Sequence, residues 1–220
     1  MRLRVLGLLS SVFVAMGAVA TLPAVADAPA HRPTFLRLSE AGPAFMSYDG
    51  DASFNPRARD WAVALVFAGN ANVGKVKHGL RQLGLTRRGS SRYLAYRDGK
   101  GNAFFDEDRG LKTTCDRSGT DVHVRVYAPS ATDRFLDPKY GSVVVGTTHF
   151  DRADGCRVPP KVFGFSELAE RQVAALVRTL GWRVQPNRLD LGNDEPYRRD
   201  VADPAHVWLG DGRATLITVP

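Results

Sequence analysis

The sequence predicts an α+β fold, a mixed or antiparallel sheet with two main helices packed on it, and three stretches carry that reading. Trp61 to Ala68 (WAVALVFA) is a continuous apolar run bounded by Asp60 and Gly69, which suits a strand buried on both faces. Asp121 to Ala128 (DVHVRVYA) alternates strictly, and the β-branched stretch Gly141 to Asp151 (GSVVVGTTHFD) follows it; together they read as a strand pair. Ala169, Val173, Leu176 and Leu180 recur at helical spacing behind Ser166.

Each element follows in order. After the first strand, Val73, Val76, Leu80 and Leu83 predict a helix over Asn72 to Leu83, with Gly84 as its C-terminal stop. Arg92 to Asp98 (RYLAYRD) reads as a strand, and Gly99 to Gly119 as loops. Residues 129–140 join the two alternating strands, so they are expected to pair antiparallel. Ser166 is the expected N-cap of the second helix, Glu167 and Glu170 lie in its first turn, and Gly181 ends it. His206 to Leu209 and Arg213 to Val219 flank Gly210-Asp211-Gly212, a hairpin signal. The order β-α-β-β-β-α-β-β places both helices on one face of the sheet.

The N-terminus has the layout of a secretory signal peptide. Arg2 and Arg4 precede the apolar run Val5 to Ala20, Leu22-Pro23 breaks it, and Ala24-Val25-Ala26 is a small-x-small cleavage site. The expected organisation is a signal peptide over 1–26, a flexible Ala/Pro-rich arm over 27–55 and a single α+β globular domain over 56–220. The mature chain would begin near Asp27 in a secreted or extracytoplasmic setting. Past Ala26 no apolar run is long enough to span a bilayer.

Composition is ordinary for a globular chain, 44% hydrophobic, with a formal charge of +7. Loss of Arg2 and Arg4 would remove two of those charges. Basic residues are densest over Lys75, Lys77, His78, Arg81, Arg87, Arg88 and Arg92. Lys75, His78 and Arg81 share a helical face, a candidate contact for an anionic polymer or envelope surface. Only Tyr93 and Tyr96 interleave with this stretch, so base stacking on a single strand is not indicated. The chain has two cysteines, Cys115 and Cys156. An even count in an exported protein predicts one disulfide. Closing a loop of about 40 residues contributes about 4 kcal/mol in the chain-entropy picture.

Gly69-Asn70-Ala71-Asn72-Val73-Gly74-Lys75-Val76 comes one residue short of a phosphate-binding P-loop and stands between a strand and a helix. Val76 replaces the hydroxyl that would ligate Mg²⁺, and Asn-Lys-x-Asp is absent. Nucleoside triphosphates are scarce outside the cell. The segment is therefore read as a strand-to-helix turn, with no nucleotide expected.

The strand pair supplies the candidate chemistry. Alternation puts Asp121, His123, Arg125 and Tyr127 on the face opposite the valines, and Val143, Val145, Thr147, His149 and Asp151 together on the second strand. A hairpin centred near residue 136 sets His123 opposite His149, with Cβ atoms about 5 Å apart. Candidate catalytic residues are His123, His149, Asp151 and Arg125; His123 and His149 are also candidate zinc ligands. The alternative is a satisfied polar layer on a half-exposed sheet, with no cofactor. Neither HExxH nor GxSxG is present. The acidic run Asp106-Glu107-Asp108 fails EF-hand spacing because Arg109 holds the twelfth position counted from Asp98.

On these residues the chain resembles the LssY C-terminal domain family. The similar parts are Phe67-Ala68-Gly69 before a helix closed by Leu83-Gly84, His123-Val124-Arg125-Val126-Tyr127, Gly146-Thr147-Thr148-His149-Phe150-Asp151, and a helix bearing Glu167, Glu170 and Arg171. The resemblance spans about residues 60–185. It implies an α+β domain and directs attention to the His-x-Arg strand; it implies no activity. Two functional readings stand: an exported binding or accessory module, and a metal-dependent or His-based hydrolase of a phosphate-containing or wall-derived substrate.

Overall fold

The computed structural model describes residues 35–47, 50–51, 62–88, 93–97, 103–105, 111–112, 121–128, 133–151, 165–193, 197–198, 207–208 and 211–220. Along the chain, β1 (Phe35–Leu36) pairs with β2 (Phe45–Met46). Then come β3 (Gly50–Asp51), β4 (Val63–Asn70), α1 (Val73–Gln82) and β5 (Arg87–Arg88). They are followed by β6 (Tyr93–Arg97), β7 (Ala103–Phe105), β8 (Leu111–Lys112), β9 (Asp121–Tyr127), β10 (Phe135–Asp137) and β11 (Gly141–Asp151). The C-terminal third holds α2 (Phe165–Arg178), β12 (Arg183–Asp190), β13 (Tyr197–Arg198), β14 (Val207–Trp208) and β15 (Arg213–Val219).

The main sheet is mixed and runs β12-β15-β4-β11-β9-β8-β5, with β10 lying alongside β11. Only β15 and β4 are parallel within it. The apolar run of β4 sits at its centre, and residues 63–68 are all buried. This is where a strand that is apolar on both faces must go, because only a central strand with both faces covered hides all of its side chains.

Register separates the two faces. Leu65 and Phe67 of β4 lie level with Gly146 and Val144 of β11 and with Thr215 and Ile217 of β15. Gly146, Thr148 and Phe150 lie level with Val126, Val124 and Val122 of β9. This is the helix face. Phe67 meets Trp182, just beyond α2, edge-on with ring centroids 6.3 Å apart. Gly79 of α1 approaches the same indole, and a Cβ there would stand 2.6 Å from Trp182. Only glycine lets the two packed segments come this close. The opposite face carries Val66, Val145, Tyr127, Arg125, His123, Thr147 and His149, all buried.

Several expectations are corrected. The stretch 27–55 does not stand off as an arm over 35–47: Phe45 is buried and packs on Phe135, ring centroids 6.1 Å apart. The Ser47 carbonyl accepts from Val63 N–H and from Asn193 Nδ2. An aromatic residue and two hydrogen bonds to the Ser47 carbonyl hold this segment to the core, against its Ala/Pro-rich composition. The Gly210-Asp211-Gly212 hairpin does not form. Residues 207–208 pair with 197–198, while β15 pairs with β12 and β4. The apolar β15 finds more burial in the middle of the sheet than a local turn could offer.

The strand β12 was not legible in the sequence. It is an edge strand, mostly exposed, whose register slips between Gln185 and Leu189, across Pro186 and Asn187, the latter at φ 49. A bulge and a proline are devices that keep an open edge from pairing further. The expected strand at Arg92 to Asp98 exists as β6, but in a separate three-stranded sheet with β3 and β7. The helix α2 begins at Phe165, so Ser166 lies inside it instead of capping it. The leader 1–26, Cys115 and Cys156 lie outside the described residues. Among the described residues no helix is long and apolar enough to cross a membrane.

Candidate functional site

The strand pair has the anticipated register. His149 faces His123, Thr147 faces Arg125 and Asp151 faces Asp121. The two imidazoles meet edge-to-face, 4.9 Å between centroids and 62° between planes. Arg125 Nη2 lies 3.4 Å from His123 Nδ1. A guanidinium only donates, so Nδ1 is the acceptor in this long contact. Thr148 Oγ1, on the helix face, donates to the His123 carbonyl at 3.0 Å and ties the two strands further.

Burial separates this cluster from an open active site. His123 and His149 are each 2% exposed and Arg125 is 3% exposed. The sheet face expected to be half-exposed is sealed. An imidazole so placed cannot take a proton from a dissolved substrate unless the layer over it moves. Among the described residues no group of three or more His, Cys, Asp or Glu side chains is arranged to hold a metal ion. Asp121 and Asp151 occupy the next register pair along the same face. A shallow depression lies on this side too, lined by Leu38, Pro43, Phe45, Phe135, Asp137 and Val143, with no room for a bound molecule. Its carboxylate is engaged: Asp137 accepts from Ser39 Oγ and from the amides of Lys139 and Tyr140.

The P-loop look-alike is a capped helix start. Asn72 Oδ1 accepts from the Lys75 amide at 2.7 Å, and the Val73 amide donates to the Asp133 carbonyl at 2.9 Å. Amides that would cradle a phosphate are thus already engaged. Gly69, at φ 84, serves packing: a Cβ there would stand 2.9 Å from the Val219 carbonyl oxygen. Lys75 Nζ donates to the Pro220 carbonyl oxygen at 3.0 Å, so this lysine tethers the end of the chain to α1.

The remaining basic residues of α1 fall as anticipated. His78 and Arg81 are exposed and Lys75 is half-buried, while Val76, Lys77, Gly79 and Leu80 are buried. His78 Nε2 lies 3.2 Å from Gln82 Nε2. The helix carries Lys75, Lys77, His78 and Arg81 and no acidic residue.

Sequence reasoning missed the most unusual group in the molecule. Glu170 of α2 is 1% exposed, and neither of its carboxyl oxygens has a hydrogen-bond partner of good geometry. Burial pushes its carboxyl from the usual 4.5 up to about 8. The side chain and backbone of Thr215 oppose that rise, and the charges of Glu167 and Asp211 add to it. Burial likewise raises Glu167, whose Oε1 accepts from the Asp211 amide at 3.0 Å. The signal was available: residues 170, 173, 174 and 177 are spaced as one stripe, and Val173, Ala174 and Val177 are buried with Glu170. The expected stripe through Leu176 and Leu180 is rotated, and both of those leucines are only partly buried.

No protein family, curated protein or solved structure matches this chain.

Proposed function

We propose that this chain is an exported binding or accessory module that docks on an anionic polymer or envelope surface through the outward face of α1. One observation carries the reading: α1 presents Lys75, His78 and Arg81 and no acidic residue, with His78 and Arg81 exposed and Lys75 half-buried. A single-sign helix face on a chain of charge +7 attracts polyanions over a Debye length of about 10 Å at 0.1 M salt. The signal-like leader and the LssY-like segments fit an envelope setting. In this reading His123, Arg125 and His149 are a buried polar layer that specifies strand register. No nucleotide is part of it.

The test is salt elution from an immobilised polyanion. The Lys75→Gln/His78→Gln/Arg81→Gln protein should elute at clearly lower salt than the wild type. An Arg178→Gln/Arg183→Gln/Arg188→Gln control, altered at exposed arginines elsewhere, should stay close to wild type. Equal shifts in both would show that net charge alone binds, and would end the proposal for α1.

The proposed Cys115–Cys156 disulfide suits this setting. The strands that precede the cysteines, β8 and β11, both run antiparallel to β9 and leave the sheet at the end where β9 begins. They are two strand spacings apart, about 10 Å. Three and five residues respectively lead on to the cysteines, ample reach for a bridge. Intact-mass measurement without reductant should find the chain two hydrogens lighter; two alkylatable thiols would contradict it.

A second reading, a zinc- or His-based hydrolase, draws on the register contact between His123 and His149 with Asp121 and Asp151 beside them. There Arg125 and Asp151 would assist the imidazoles, and zinc when bound would activate a water. Metal analysis separates the two. Stoichiometric zinc, lost in a folded His123→Ala protein, would favour the hydrolase; none in either favours the module.

A further inference from the structure

The helix α2 is seated on the sheet through a carboxylic acid. Glu170 is buried against β15, where Thr215 is itself 1% exposed. Around it stand two further carboxylates. Glu167 is one turn earlier on α2, and Asp211 precedes β15 and is joined to Glu167 through its amide. Among the described residues Arg171 lowers the Glu167 carboxyl, but less than burial raises it. Arg171 is exposed and donates its Nε to the Glu167 carbonyl oxygen. On the edge beside this cluster, Arg213 and Asp190 pair with each other at 3.9 Å and are both exposed. The helix-facing positions of β4, β9 and β11 hold aliphatic residues, phenylalanine, glycine and threonine, none of them titratable. On β12 the position level with Ile217 is Val184.

A carboxylate in that place would be a buried charge facing two negative neighbours, and what Thr215 offers it does not offset the desolvation. Its solvation cost far exceeds that of the neutral acid. We propose that Glu170 is a proton-operated latch: neutral, it lets the first half of α2 lie down on β15; ionised, it lifts that half of the helix away from the strand. The hinge is supplied by the fold. The C-terminal half of α2 is held by Val173, Val177 and, beyond it, Trp182, which packs on Phe67 and against Gly79, whereas among the described side chains of the N-terminal half Ala169 and Glu170 are the buried ones. The raised carboxyl pKa agrees with this geometry and puts the transition near pH 8. The latch is independent of the anion-binding reading of α1.

Hydrogen exchange of the full chain tests it, with rates corrected for the intrinsic effect of pH. Amides of 165–172 should lose at least tenfold in protection between pH 6 and pH 9, while those of β4 and β11 keep theirs. Glu170→Gln cannot ionise and should hold its protection across the range. Glu167→Gln keeps an acceptor for the Asp211 amide but removes one negative neighbour, and should move the transition to lower pH. Direct titration of the Glu170 carboxyl by carbon NMR guards against a Gln variant that does not fold. A carboxyl titrating near 4.5, or wild-type protection that ignores pH, would overturn the latch.

Discussion

The two helices pack on the same sheet face and handle charge in opposite ways. The helix α1 buries Val76, Gly79 and Leu80 and turns His78 and Arg81 to solvent. The helix α2 exposes Arg171 and Arg178 but places Glu170 in its buried stripe. The difference teaches what each helix can respond to. On α1 the charges of His78 and Arg81 are exposed, where a charge costs little and contributes little to stability, while Lys77 is buried. The carboxyl on α2 is desolvated, so its protonation state is coupled to whether the helix is docked at all.

The largest expected effect breaks the joint that both helices share. Trp182→Ala should cost about 3–5 kcal/mol in urea unfolding, because it empties the space between Phe67 and Gly79. Gly79→Ala alone should cost about 1–3 kcal/mol, since its methyl group would collide with the indole. In the double variant that second penalty should vanish, as alanine is about 1 kcal/mol the better helix former. Strictly additive costs would show that the two helices do not meet through Trp182.

Next in size is the pH dependence of global stability. The unfolded Glu170 carboxyl ionises near 4.5 and the folded one near 8. Its extra stabilisation is therefore complete below pH 4.5 and lost as pH rises towards 8, at up to about 1.4 kcal/mol per pH unit. Glu170→Gln should remove this slope and be the more stable protein at pH 8. A wild-type stability that rises over this window would reverse the assignment.

Smaller again is the cap. Asn72→Ala frees the Lys75 amide and should cost about 1 kcal/mol. A null result would mean that Asp133 and packing alone hold the start of α1. Smallest is the outward face itself: the three substitutions at Lys75, His78 and Arg81 should alter stability by no more than about 0.5 kcal/mol, although they are expected to weaken polyanion retention. A large stability loss would show that the Lys75 bond to Pro220 matters to folding more than to binding.

Much of the site was legible because it depends on local spacing. The alternation of DVHVRVYA put His123 and Arg125 on one face, and a hairpin centre assumed near residue 136 set His123 against His149; that register is the one observed. The reach of β11 over Gly141–Asp151 was likewise written in its β-branched residues. What spacing could not say is that the histidine face is sealed, since that depends on what the rest of the chain lays over it. The same holds for β15: its apolar character was plain, but its partners lie 30 residues before it in β12 and some 150 residues before it in β4.

By itself the sequence determined the two helices, the central strands and their alternation, and the basic face of α1. All of these rest on periodicity and on side chains within one turn of each other. Only the tertiary structure decided that β15 lies parallel to β4, that residues 35–47 close on the core, and that Glu170 is the acid beneath α2. The physical reason is desolvation: it is a property of all neighbours at once, and for a helix residue most of those neighbours come from distant parts of the chain.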